Sequence, residues 1–372
     1  MREVYAARAA RAYRAMQRSF HRRSGRYRRD GWLHLPWSPA HLWPFARAMA
    51  ATFDLAGIGE APLDGIDLDA EIEDRLRALQ RYWDSGRPPR AYASDPPSAR
   101  VGGERYYDDN AWVGLALVEL ERLRPGSGWL DRADELYRFA LGGWAAERTP
   151  NPGGVFWVEQ GRGIGARNHD RNVVSTAPNA ALGLHLAELK ASLSSGDDGV
   201  GAQQMYDWVL GTLDASRETD SPGTGLFWDK LRGDGTIDRA LWSYNQGNMI
   251  GLNVLLARST DGPAAPYIER AERIARKSLR HFSGAHDRQP AAFNAIFARN
   301  LLLLHDATAD ERLRAEMIDA LRRYGDWAWE DRRDSRDRFH LDPGGVTLLN
   351  QSGIVQVLAM LAWDPVMYGR IA

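Results

Sequence analysis

The chain alternates two kinds of helical segment, and this alternation restricts the possible folds more than any other feature of the sequence. Apolar residues recur with the 3.6-residue period of an α-helix in twelve stretches, with very little strand pattern between them. The spacing predicts helices near 3–20, 39–55, 67–84, 109–124, 128–146, 175–193, 201–215, 246–259, 265–282, 291–306, 310–330 and 346–363. The odd-numbered stretches carry one charged face, as in Leu130 to Phe139 and Tyr267 to Ile274. The even-numbered ones are apolar nearly all round, as in Val113 to Val118, Met249 to Leu256 and Ile354 to Leu361. A helix that is apolar on every side must be surrounded by protein, whereas a one-faced helix lies at the surface. Six buried helices alternating with six surface helices describe an all-α (α/α)6 barrel of six helical hairpins.

A cryptic repeat orients that barrel. The even stretches open on Asn110-Ala111, Asn179-Ala180, Asn245-Gln246, Asn294-Ala295 and Asn350-Gln351. Asn favours helix N-termini because its amide satisfies backbone N–H groups that lack an intrahelical partner, so five N-caps are one reading. The other is that five inner helices point polar N-terminal ends into the same mouth, where their dipoles assist a site. Two aromatic loops, Gly153 to Trp157 and Gly225 to Asp229, each join an outer stretch to the next inner one and so fall at that same end.

Length permits one or two domains, and with no Pro/Gly/Ser-rich linker the expectation is one domain over residues 1–372. A net charge of −1 and a pI near 6.8 argue against a nucleic-acid partner, which calls for an excess of basic side chains on one face. Only three of the 48 basic residues are lysines, Lys190, Lys230 and Lys277, as in chains from GC-rich genomes of actinobacterial type. The absence of cysteine excludes disulfides and thiolate nucleophiles. The residues after Met1 form an Arg/Ala-rich amphipathic stretch without the apolar core of a secretory signal, so a cytoplasmic location is expected. No run approaches the roughly 18 apolar residues of a membrane span. Neither metal-ligand spacing nor a nucleotide-binding glycine pattern occurs, and no metal or cofactor is expected. His185 and His305 read as core histidines.

Two constellations carry chemistry. The first is Tyr106-Tyr107-Asp108-Asp109-Asn110, where a Gly-rich loop hands over to the fourth stretch. Aspartates at a helix start are ordinary caps. Among aromatic rings, however, two adjacent carboxylates cannot both ionise freely, so one tends toward an acid while the other stays a base. Their side chains project about 100° apart, enough to face two different atoms of one sugar linkage. The second is Trp242-Ser243-Tyr244-Asn245-Gln246-Gly247, whose rings and amides suit the C–H faces and hydroxyls of a sugar or, equally, a buried turn. Of the fourteen tryptophans, Trp83, Trp208 and Trp327 read as core anchors, and Trp112, Trp157, Trp228 and Trp242 as ligand candidates.

In order and separation, these two motifs and the inner stretch containing Asn179 resemble glycoside hydrolase family 76, the α-1,6-mannanases, over roughly residues 30–363. The resemblance implies an (α/α)6 barrel and a retaining endo-hydrolase of α-1,6-linked mannan, a monomer without cofactor. It makes Asp108 the nucleophile and Asp109 the general acid/base, with Asp229, Trp242, Tyr244, Asn245 and Gln246 lining the sugar subsites, and Tyr107, Asn110, Trp112, Trp157 and Asn179 are further substrate-binding candidates at the same end. A mannosylated glycolipid such as lipomannan or lipoarabinomannan is the polymer expected for an actinobacterial chain. Relatives often carry Cys-Gly-Gly-Gly-aromatic where this chain reads Asn151-Pro152-Gly153-Gly154-Val155-Phe156-Trp157. Alternatives that keep the fold are an α-mannan transglycosylase and an epimerase, the latter needing histidines at the mouth. A catalytically inactive mannan-binding protein is the alternative of another class.

Overall fold

The structure is a computed structural model that describes residues 1–30, 38–59, 63, 65–96, 103–161, 163–191, 199–218, 223–284, 288–341 and 345–372. Among these residues the twelve predicted stretches are twelve helices: α1 (Arg2–Phe20), α2 (Leu42–Ala56), α3 (Leu68–Leu79), α4 (Tyr107–Leu123), α5 (Leu130–Leu141), α6 (Val173–Ala191), α7 (Gly199–Leu213), α8 (Ser243–Ser259), α9 (Ala265–His281), α10 (Ala291–Ala307), α11 (Glu311–Asp331) and α12 (Leu348–Ala362). The last two residues predicted for the sixth helix, 192 and 193, lie outside the described residues.

The even helices form a closed inner ring, each packing on the next from α2 through α12 and back to α2. Each odd helix packs against the inner helix that precedes it around the ring, α1 against α12, α3 against α2, α5 against α4, α7 against α6, α9 against α8 and α11 against α10. The architecture is an (α/α)6 barrel. Its inner helices are buried over almost their whole length, while α9 buries only Ala271, Ile274, Ala275 and Ser278. Close approach within the ring depends on missing side chains. A Cβ on Gly247 of α8 would come 2.8 Å from the Phe297 backbone of α10, and one on Gly353 of α12 2.5 Å from the Ala291 backbone.

The repeated asparagines are not caps, because all five inner helices that carry them begin two to six residues before the asparagine. The side-chain caps present are Asp67, Asp310 and Thr347 on α3, α11 and α12. The fourth residue of five inner helices instead grips a neighbouring element through its side chain. Asn110 of α4 accepts from the Tyr92 N–H (2.8 Å) and donates to the Tyr92 carbonyl (3.0 Å). Gln246 of α8 brackets Phe227 in the same way (2.8 and 2.9 Å). Thr176 of α6 accepts from Val155 N–H (3.0 Å), and Gln351 of α12 from Phe339 N–H (3.1 Å). Asn294 of α10 takes the Ser243 hydroxyl at the head of α8 (3.1 Å). In four of the five, the residue gripped belongs to the outer-to-inner loop, so the loops that form the mouth are seated on the helices below them.

Short strands finish the mouth. β1 (Trp83–Asp84) and β2 (Ala91–Tyr92) pair antiparallel, as do β3 (Arg171–Asn172), β4 (Lys230–Leu231) and β5 (Ile237–Asp238) in the order β3-β4-β5. The register sets Asn172 beside Lys230.

The opposite end is closed by charge. Arg299 of α10 pairs with Asp54 of α2 (2.5 Å) and with Glu119 of α4, all three buried. Gln356 of α12 donates to Asp54 (2.9 Å) and accepts from Arg47 of α2 (2.7 Å). Residues 365–372 fold back here, with the Ala372 N–H on Glu119 (3.3 Å) and its carbonyl on Arg299 (3.3 Å). Burial and the neighbouring Asp54 raise Glu119 against the pull of Arg299, while the two carboxylates hold Arg299 charged and in direct contact with both. Among the described residues, no helix is long and apolar enough to cross a membrane.

Candidate active site

Helix α4 begins at the mouth with Tyr106 as its N-cap residue and both aspartates in its first turn. They face a cavity of about 440 Å³, within the range usual for small-ligand sites. Its wall also includes Trp43, Tyr106, Trp112, Trp157, Asn172 and Tyr244. Because residues four apart stack on one helix face, Trp112 lies one turn below Asp108.

The two carboxyls have different surroundings. Asp108 Oδ1 accepts from the Asp109 N–H (3.0 Å), and Oδ2 accepts from the Trp157 indole (3.2 Å). Asp109 is 9% exposed, and its carboxyl has no hydrogen-bond partner among the described residues. Burial pushes Asp108 up to about 7 against the pull of these two donors, with the charge of Asp229 adding to the rise. Asp109, with burial and the Asp108 charge both acting on it and nothing opposing, is driven well above the carboxylate range. Among the described residues no Lys, Arg or His pairs with either one. The proton that the pair retains therefore sits preferentially on Asp109, leaving Asp108 the more readily ionised member.

Asp229 stands behind this wall. Its Oδ1 accepts from Asn245 (3.0 Å) and from the Tyr244 hydroxyl (3.4 Å), and burial raises it too. Tyr244 is stacked on Phe293, which joins it in the wall (3.9 Å, 24°), and Trp242 meets Phe293 edge-on (5.7 Å).

Of the residues expected around a sugar, Trp112, Trp157 and Tyr244 line the cavity together with both aspartates. Asp229 and Asn245 act on the wall from behind, and Trp242 borders it through Phe293. Four others are placed elsewhere. Tyr107 turns away from the mouth and stacks on Phe139 of α5 (4.4 Å, 21°), so it is Tyr106, one residue earlier, that reaches the cavity and packs on Trp157 (5.0 Å). Asn110 and Gln246 are committed to Tyr92 and Phe227. Asn179 donates to the Tyr107 carbonyl (3.2 Å) and, one turn back, to Ser175 (2.8 Å). Trp228 is buried under the Arg239 guanidinium (5.1 Å) and lines no part of the cavity. Trp208 supports the Gly-rich loop: Gly153 and Gly154, at φ +91° and +78°, lie so close that a Cβ would come within 2.6 Å of its ring.

Sequence reasoning missed His41, Trp43, Ser94, Asn172, Val174, Lys230 and Phe293 on the wall. Asn172 is the most telling, since it lines the cavity and its buried Oδ1 has no hydrogen-bond partner among the described residues. Lys230 is held by Asp170 (3.0 Å). Its position next to Asp229 in a predicted mouth loop was the available signal. Among the described residues, no three His, Asp or Glu side chains gather as metal ligands.

A larger hollow of about 890 Å³ lies on the outer wall between α9 and α11, near Arg280, Arg323 and Trp327. Its carboxylates, Glu316 and Asp319, are exposed and paired with Arg312 (2.9 Å) and Arg322 (3.9 Å). The carboxyls of the smaller cavity are instead buried among aromatic rings without a cation beside them among the described residues, which makes that cavity the candidate site.

The sequence model of glycosyl hydrolase family 76 matches residues 4–341. No curated protein matches the sequence. Among solved structures, a family 76 α-mannanase of Bacteroides thetaiotaomicron superposes with a TM-score of 0.79 at 16% identity, covering 96% of this chain and 95% of its own. A second family 76 member from that bacterium, described as a mannosidase, gives 0.77 at 22% identity over 96% and 98% of the two chains. The α-1,6-mannanase of a Salegentibacter species, as an inactive double Asp-to-Asn variant with α-1,6-mannotriose bound, gives 0.73 at 18% identity over 96% and 99%. At these identities the superpositions speak for the fold. The family assignment rests on the sequence match, which takes in both aspartates and nearly the whole barrel: the chain belongs to glycosyl hydrolase family 76.

Proposed function

We propose that the protein is an endo-acting α-1,6-mannanase that works by double displacement with retention of configuration. The observation carrying this reading is the asymmetry of the aspartate pair. Asp108, supported by two hydrogen bonds, is the member suited to attack the anomeric carbon. Asp109, unsupported and held protonated, is suited to protonate the departing oxygen and then to activate water. Retaining enzymes hold their two carboxyls about 5–5.5 Å apart, close enough for direct attack without an intervening water. Trp112, Trp157 and Tyr244 offer ring faces for the C–H surfaces of mannose. The relatives described as α-mannanases support the substrate class, and the Salegentibacter complex with α-1,6-mannotriose supports the linkage.

The test is incubation with unbranched α-1,6-mannan, following product size by chromatography and anomeric configuration by proton NMR in the first turnovers. The expected result is a ladder of α-1,6-manno-oligosaccharides released first as α-anomers. First release of the β-anomer sinks the retaining mechanism, and release of mannose alone sinks the endo mode. Longer products that appear only when acceptor oligosaccharide is added identify a transglycosylase instead.

A further inference from the structure

Arg47 is a fully buried cation that this chemistry does not use. It lies on α2 one turn below Trp43, and its guanidinium carbon is 5.6 Å from the ring centroids of both Trp43 and Trp112. Those two rings meet at 5.9 Å and 47° and form adjoining parts of the cavity wall, Trp112 one turn beneath Asp108. Nη2 of Arg47 donates to Gln356, which in turn donates to Asp54 in the charge cluster at the closed end. Its Nε is buried without a hydrogen-bond partner among the described residues. Removing a guanidinium from water is costly, and leaving one of its N–H groups unpaired adds to the cost. Two features offset that cost. One is the balance of Arg47 and Arg299 against Asp54 and Glu119, and the other is the pair of indole faces, which attract a desolvated cation.

We infer that Arg47 is a positioning residue for the proposed mannanase site: its guanidinium clamps Trp43 and Trp112 as one rigid sugar platform and ties it through Gln356 and Asp54 to the closed end of the barrel. The inference rests on the proposed function only for the identity of the sugar. A flat guanidinium can contact two indoles at once, whereas an ammonium is a compact point charge, so charge alone does not reproduce the clamp.

The test uses Arg47→Lys, which keeps the charge opposite Asp54 and Glu119, and Arg47→Met, which removes it. On linear α-1,6-mannan, KM is expected to rise about threefold in Arg47→Lys and about tenfold in Arg47→Met, with kcat within about twofold of wild type, because a loosened platform weakens ground-state and transition-state binding alike. Acrylamide quenching of tryptophan fluorescence should increase in both variants, and the increase should vanish in a Trp43→Phe/Trp112→Phe background. If Arg47→Lys matches wild type in KM and quenching, or lowers kcat with KM unchanged, the positioning role is overturned, whether or not Arg47→Met folds. If wild type does not cleave the mannan, the proposed function falls while the quenching comparison still decides the role of Arg47.

Discussion

The two ends of the barrel use the same side chains for opposite purposes. At the closed end Asp54 and Glu119 are buried, but Arg299 lies between them and Gln356 takes the remaining oxygen of Asp54. At the mouth Asp108 and Asp109 are enclosed by Trp112, Trp157 and Tyr244, and no cation reaches either of them among the described residues. A buried carboxylate with a cation beside it stays ionised and ties helices together. One without such a neighbour keeps its proton into the neutral range and destabilises the fold when it loses it. Burial is common to both ends; the missing counter-charge is what sets the mouth pair apart.

The sharpest way to break this comparison is to remove the mouth carboxyls. Asp109→Asn should lower kcat on α-1,6-mannan about 10²- to 10⁴-fold, the range of a lost general acid/base. Its thermal stability at neutral pH should match or exceed wild type. The sign follows from linkage. An unfolded Asp titrates near 3.9, whereas folded Asp108 titrates at about 7, so the folded state binds more protons in between. This contribution is fully present below about pH 4 and is lost as the pH rises through 7, at up to about 1.4 kcal/mol per unit for one group. Urea unfolding across that window should show the loss in wild type and a flatter profile in Asp108→Asn/Asp109→Asn. A double variant that is less stable than wild type at pH 7 would put both ends in the same class.

Removing the cation at the closed end should do the reverse. Arg299→Met leaves two buried carboxylates facing each other and is expected to cost about 3–5 kcal/mol in urea unfolding, while kcat per folded molecule stays within about threefold of wild type. Stability within about 1 kcal/mol of wild type would mean the cluster is dispensable. The smallest effect tunes the mouth itself. Trp157→Phe removes the donor to Asp108, worth about 1 kcal/mol, and should move the acidic limb of the kcat/KM profile up by about 0.7 pH unit. A downward shift would show that Trp157 does not support the charged form.

The fold was legible because barrel position is written into hydrophobic periodicity. Helices α8 and α12 are apolar on every side and α9 on one, and that difference alone separates inner from outer. The aspartate pair at the mouth was legible because Asp108 and Asp109 are adjacent in sequence. The rest of the wall was not, since it is assembled from distant segments: Trp43 from α2, Asn172 from β3, Lys230 from β4 and Phe293 from α10. Tyr106 and Tyr107 could not be told apart, because rotation by one residue decides which ring faces the mouth and which faces Phe139. Asn110 and Gln246 were misjudged for a chemical reason. An amide that brackets a peptide unit presents the same donor and acceptor that would bracket a sugar hydroxyl.

These side-chain grips on loop backbone carry an evolutionary consequence. Asn110, Thr176, Gln246 and Gln351 hold the backbone of Tyr92, Val155, Phe227 and Phe339, not their side chains. What a loop displays at the mouth is thereby uncoupled from how it is seated. Substitutions in the loops can re-line the cavity for another glycan while the twelve helices and their packing remain untouched, which makes the mouth a set of interchangeable parts on a fixed frame.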